Sequence, residues 1–147
     1  MRAVVTRVKS ASVEIEGSIY SSIGPGFLVL LGVHQEDTEA EALKIADKLC
    51  GLRVFEDENG KMNVNPLDAG AKMLIISQFT LFADCKSRRP GFSKAARPDT
   101  AIPLYELVIA KCREKGFEVQ TGVFAADMQV ASVNDGPVTI ILDTKEL

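Results

Sequence analysis

The sequence predicts an α+β fold, with two helices packed on a largely antiparallel, barrel-like β-sheet in a single domain over residues 1–147. Three features carry this expectation. The opening third alternates apolar and polar residues between turn signals. Two unbroken apolar runs are too short for buried helices, and two further stretches repeat apolar residues at helical spacing. A chain of 147 residues is long enough for one hydrophobic core, and 46% apolar with 25% charged residues is an ordinary soluble balance.

Val13 and Ile15 alternate with Ser12, Glu14 and Glu16, the two-residue period of a half-buried strand. Gly17 marks a turn, and Ile19-Tyr20 begins the returning strand. After Gly24-Pro25-Gly26, the run from Phe27 to Val33 has no polar face and reads as a central strand covered on both sides. Thr38 and Glu41 form a capping box, and Leu43, Ala46, Leu49 and Cys50 repeat at helical spacing until Gly51. Leu52 to Phe55 reads as a strand. Asp57-Glu58-Asn59-Gly60 reads as a turn, and its acids do not fit the spacing of a calcium loop.

Met73 to Ser77 is the second buried strand and runs directly into Gln78-Phe79-Thr80-Leu81. From Ala83 to Asp99 the chain is polar, basic and proline-containing, the signature of a long surface loop. A second helix is expected from Asp99 or Thr100, with Pro103 in its first turn. Leu104, Leu107, Val108 and Cys112 supply its apolar stripe, and Gly116 ends it. Two last β-segments follow, Met128 to Val133 and Val138 to Leu142, joined by Asn134-Asp135-Gly136-Pro137.

Composition narrows the function. A net charge of −3 and a pI of about 5.2 argue against broad neutralisation of nucleic-acid phosphates. They leave room for a local patch: Lys86, Arg88, Arg89, Lys94 and Arg97 lie in a stretch whose one acid is Asp84. No apolar run has bilayer length, the N-terminus lacks a secretion signal, and Cys50, Cys85 and Cys112 form neither a disulfide framework nor a zinc pattern. A cytoplasmic protein without metal or cofactor is the expectation. The single histidine, His34, ends an apolar strand and reads as a residue without catalytic duty. There is no nucleophile elbow and no glycine-rich phosphate loop.

Two segments stand out. Ser77-Gln78-Phe79-Thr80 places polar groups at the exit of a buried strand, where backbone N–H groups can converge as an oxyanion hole. Thr80 is open to three readings: a nucleophile, a water-positioning group, or a residue that satisfies the strand end. Asn134-Asp135-Gly136-Pro137-Val138-Thr139 is either a simple turn or a ligand element, since proline donates no hydrogen bond and glycine allows close approach.

Together these two segments resemble the signature motifs of the D-aminoacyl-tRNA deacylases. The similarity extends to Arg2-Ala3-Val4-Val5, Ala11-Ser12-Val13, Gly60-Lys61-Met62-Asn63, Arg89-Pro90-Gly91-Phe92-Ser93-Lys94 and Phe124-Ala125-Ala126-Asp127-Met128-Gln129-Val130. Ser87 and Gly91 differ from the residues expected in relatives. The resemblance implies an editing hydrolase that frees D-amino acids from tRNA, with glycyl-tRNA mischarged on tRNA(Ala) as a secondary substrate. It implies a homodimer in which Gly136 and Pro137, in the cis form, enter the partner's pocket as a chirality filter. Ser77, Gln78, Phe79 and Thr80 would surround the ester carbonyl, Phe124 and Met128 would shape the adenosine pocket, and Lys86, Arg88, Arg89 and Lys94 would meet acceptor-stem phosphates. No membrane and no DNA is expected as a partner. Two other readings stay open: a non-catalytic dimeric module that binds RNA ends, and a Thr80-dependent esterase acting on small acyl esters.

Overall fold

One strand organises the sheet. In the computed structural model, which describes all 147 residues, β1 (Arg2–Ile15) is 14 residues long. Along one edge it pairs antiparallel first with β3 (Gly26–Gly32), through residues 2–8, and then with β2 (Ser18–Ile23), through residues 11–15. Ala3 and Val5 turn from it into the core beneath the helices, while Val8, Ala11 and Val13 turn into a second, smaller cluster, so both faces of the strand are covered in part.

Beyond β3 the sheet changes character. β6 (Lys72–Ser77) pairs parallel with β3, and β7 (Val119–Thr121) pairs parallel with β6. Parallel neighbours need long crossovers, and the two helices supply them. α1 (Glu39–Gly51) lies between β3 and β6 in the chain, and α2 (Pro98–Glu114) lies between β6 and β7. The Ser21 hydroxyl of β2 donates to the Thr121 carbonyl of β7 at 2.7 Å, so the sheet nearly closes on itself. The α+β, barrel-like expectation holds, with a mixed rather than uniformly antiparallel ladder.

β3 is covered on both faces, as its unbroken apolar run predicts. Phe27, Val29 and Leu31 join a 24-residue core beneath the helices, while Leu28 joins a smaller cluster with Val8, Val13, Leu74 and Ile76 inside the barrel. α1 starts at the predicted capping box: the Thr38 N–H and hydroxyl donate to the Glu41 carboxylate at 2.6 and 2.7 Å. Those bonds hold the carboxyl below its usual range.

Several details differ from the sequence reading. The buried stripe of α1 is Ala42, Ile45, Ala46, Leu49 and Cys50, and Leu43, one step round the helix, stays 43% exposed. α2 begins at Pro98, so Pro103 lies inside the helix and not in its first turn. Of the expected 52–55 strand only Phe55 is in a strand, β4 (Phe55–Glu56), which pairs with β5 (Met62–Val64) around the Asp57–Gly60 turn.

The largest correction concerns the C-terminus. The two expected β-segments are one strand, β8 (Gln129–Asp143), which runs the whole length of the free edge of β1 without reversing. Thr6 faces Thr139 and Val8 faces Asn134, so residues 135–138 bulge out opposite Arg7 alone. The Gly-Pro dipeptide is therefore the crest of a bulge and not a turn.

Candidate active site

The parallel strands β3 and β6 end side by side, and the principal cavity of the molecule lies just beyond them. Its volume is about 670 Å3. Val33 leaves β3 into its wall, Ser77, Gln78 and Phe79 leave β6, and Ala101 of α2 and Phe124 and Met128 of the segment before β8 close the other sides. Twelve of its 17 lining residues are hydrophobic, so a polar ligand group inside would meet few competing side chains.

The exit of β6 supplies the polar edge. The Gln78 N–H completes the ladder by donating to the Leu31 carbonyl at 2.8 Å. The chain then coils into a single 3-10 turn, Phe79–Phe82. The Phe79 and Thr80 N–H groups open this turn and donate to no other backbone group, the usual condition of first-turn amides. The Gln78 side-chain amide donates to the Thr80 hydroxyl, whose residue is exposed and stands outside the cavity lining.

Phe124 is braced from behind. Its ring lies 6.5 Å from that of Tyr105, and the Tyr105 hydroxyl donates to the Ile75 carbonyl of β6 at 2.7 Å. Burial pushes that hydroxyl far above its usual 10, so it remains a neutral donor that ties α2 to the strand feeding the site. Met128 fits because residue 122 is glycine: a Cβ there would stand 2.6 Å from the Met128 sulfur.

Gly136 and Pro137 lie elsewhere. Both are exposed, neither lines the cavity of its own chain, and the peptide bond joining them is cis. Gly136 has φ +127, and a Cβ on it would lie 2.9 Å from Val138 Cγ2 and 3.0 Å from Arg7 Nη2. Arg7, only 5% exposed, holds the bulge: Nη1 donates to the Val54 carbonyl at 2.6 Å and Nε to the Asp135 carbonyl at 3.2 Å. The Asp135 carboxylate is 3.5 Å from Nε, and Glu56 is 3.9 Å from Nη2.

Of the site residues expected from sequence, Ser77, Gln78, Phe79, Phe124 and Met128 come together in one cavity. Thr80 sits beside it, while Gly136 and Pro137 are separate. Lys86, Arg88, Arg89 and Lys94 are exposed, line no part of the cavity and make no ion pair. Their loop is pinned at its base, where Asp84 and Gly91 exchange backbone bonds of 2.7 and 2.9 Å. His34 has a structural place: its Nδ1 accepts the Glu36 N–H at 3.1 Å and its ring meets Phe82 edge-on.

Sequence reasoning missed Arg7 and Tyr105. A signal existed for the first: counted inward from Ala3 and Val5, position 7 falls on the apolar face of β1, where a cation needs partners.

Comparison with known proteins decides the family. Residues 4–143 match the family described as D-Tyr-tRNA(Tyr) deacylase. The chain belongs to that family. The D-aminoacyl-tRNA deacylase of Thermus aquaticus is 54% identical over 147 residues, covering 99% of this chain and 97% of that protein. Its counterpart from Koribacter versatilis is 55% identical, covering 99% of each. Among solved structures, the c-Myc DNA Unwinding Element Binding Protein superposes with a TM-score of 0.91 at 41% identity, covering 97% of this chain and 98% of that one. A probable eukaryotic D-amino acid tRNA deacylase superposes at 0.80 with 16% identity over 96% of this chain and 97% of that one, which speaks for the fold alone. The segments 77–81 and 134–139 thus occupy two separate places on the one chain. No helix is long and apolar enough to cross a membrane.

Proposed function

We propose that this protein hydrolyses the ester between a D-amino acid and the terminal ribose of tRNA in the cytoplasm. Water adds to the ester carbonyl, the bond to the ribose oxygen breaks, and that oxygen takes up a proton, leaving free D-amino acid and intact tRNA. The observation that carries this reading is the pair of unused amides, Phe79 and Thr80, at the edge of a mostly apolar cavity. Such donors stabilise the oxyanion that develops during acyl transfer and cost no reorganisation. An aminoacyl ester is already activated, so this help and a tRNA hydroxyl suffice without a side-chain nucleophile. The position of Thr80 outside the lining favours a positioning role.

The stereochemical choice falls to Gly136 and Pro137 of a second copy. The separation of this dipeptide from its own cavity supports a site completed across a homodimer. So does β8, an edge strand that leaves Val133 and Ile141 53% and 68% exposed. Backbone carbonyls of the bulge accept bonds from the substrate ammonium. A D side chain then points away, and an L side chain strikes the backbone, which is selection by built-in clash. Glycine has no side chain to reject, so glycyl-tRNA mischarged on tRNA(Ala) is a secondary substrate. The loop cations Lys86, Arg88, Arg89 and Lys94 meet acceptor-stem phosphates.

Purified protein is expected to release tyrosine from D-Tyr-tRNA at least about 100-fold faster than from L-Tyr-tRNA. Equal rates on the two would defeat the filter. Tight binding without turnover of either ester would favour an RNA-end-binding module instead.

A further inference from the structure

The basic loop carries one aromatic side chain, Phe92, and its placement has no role in the core. Neither Phe92 nor the neighbouring Phe79 belongs to either hydrophobic cluster. They are 37% and 53% exposed, and their rings meet edge to face with centroids 5.0 Å apart. Rings held in water on a polar segment gain little from burial, so their geometry points outward, to a ligand with an aromatic face.

Phe92 stands on the ridge between the active-site cavity and a second depression of about 420 Å3. That hollow is lined by Gln35, Ser93, Arg97, Asp99 and Thr100, a set rich in hydrogen-bond donors and acceptors. Arg97 borders both hollows, is exposed and has no carboxylate partner. Two adjoining hollows, an aromatic ridge and an unpaired guanidinium between them match two consecutive nucleotides and the phosphate that joins them.

We propose that Phe92, supported by Phe79, is the stacking platform for the nucleotide preceding the terminal adenosine, that the second depression receives its base, and that Arg97 pairs with the linking phosphate. This rests on the deacylase reading, with the terminal adenosine in the larger cavity. Single-stranded RNA ends are gripped in this way because their unstacked bases present faces to aromatic rings. The remaining loop cations lie on the same segment, where the strand would continue.

The test compares three substrates: D-tyrosyl adenosine, D-tyrosyl cytidylyl-adenosine and D-Tyr-tRNA. For the unaltered protein, kcat/KM on the dinucleotide is expected to exceed that on the adenosine ester by about 5- to 100-fold, the usual worth of one stacked base. Phe92→Ala should lower this ratio about 5-fold or more, leaving what the Arg97 pairing contributes, and Phe92→Tyr should keep it. Phe92→Leu, which retains bulk without an aromatic face, gives the same reading should the alanine variant fail to fold. A ratio near one in the unaltered protein, or a ratio that Phe92→Ala leaves intact, overturns the platform. Failure to hydrolyse any of the three esters is a separate result: it removes the deacylase reading, and the platform with it.

Discussion

Replacing Gly136 with alanine is expected to lower kcat/KM on D-aminoacyl-tRNA about 100-fold, the usual consequence of moving a positioning group by about 1 Å. Two constraints act together. At φ +127 an L residue is strained whatever the space available, by about 1–3 kcal/mol. The new Cβ would also meet Val138 Cγ2 at 2.9 Å, the Val138 nitrogen at 3.1 Å and Arg7 Nη2 at 3.0 Å, so the crest of the bulge must move. The crest lies at the surface and outside both hydrophobic clusters, so the melting temperature should fall by no more than the several degrees this strain costs. Kinetics unchanged from those of the parent protein would show that nothing approaches the Gly136 backbone closely.

Arg7→Leu is expected to be the most costly single change outside the cavity, lowering stability by about 2–4 kcal/mol and activity along with it. The guanidinium is nearly fully buried, and its removal strands the Val54 and Asp135 carbonyls that it now satisfies. Arg7→Lys should recover part of the stability and little of the activity, because one ammonium cannot reach both carbonyls in the geometry of a planar fork. Asp135→Asn is the informative control. Arg7 binds the main chain of that residue, and the carboxylate is 40% exposed, so the cost should stay within about 1 kcal/mol. Because Nη2 would stand so close to a Cβ at position 136, the Gly136→Ala and Arg7→Leu effects should be markedly non-additive. Chemical denaturation with parallel kinetics on these four variants and the Gly136→Ala/Arg7→Leu double variant measures all of this.

Local sequence signals were strong where a single element decided the outcome. The capping box at Thr38 and Glu41, the doubly covered β3 run and the end of α2 at Gly116 are all where periodicity and turn chemistry put them. What failed depended on neighbours distant in the chain. β7 is three residues long, and its alternation, Phe117 and Val119 inward, becomes a strand only because β6 lies alongside it. Asn134 to Pro137 has the composition of a turn, yet β1 is long enough to pair on both sides of it, so the ladder continues and the extra residues bulge outward.

The site divides in the same way. The 77–80 segment was legible because a buried strand ending in polar residues is a local event. That Phe124 and Met128 share its cavity follows from resemblance and from folding, not from spacing. Arg7 was readable as an inward cation, but its acceptors, at positions 54 and 135, could not be found from β1 alone.

If each cavity is completed by the bulge of the other copy, two variants that are inactive alone should restore each other when mixed. Gly136→Ala keeps an intact cavity with a displaced bulge. Ala126→Trp fills the cavity, which Ala126 lines, and keeps an intact bulge. After subunit exchange in an equimolar mixture, half of the twofold dimers pair one chain of each kind, so about one quarter of all sites combine sound halves. Hydrolysis of D-Tyr-tRNA is expected at about a quarter of the unaltered rate from two proteins that are each nearly inert. A mixture as inactive as its parents, with exchange verified by mass, would mean that the bulge serves its own chain or none.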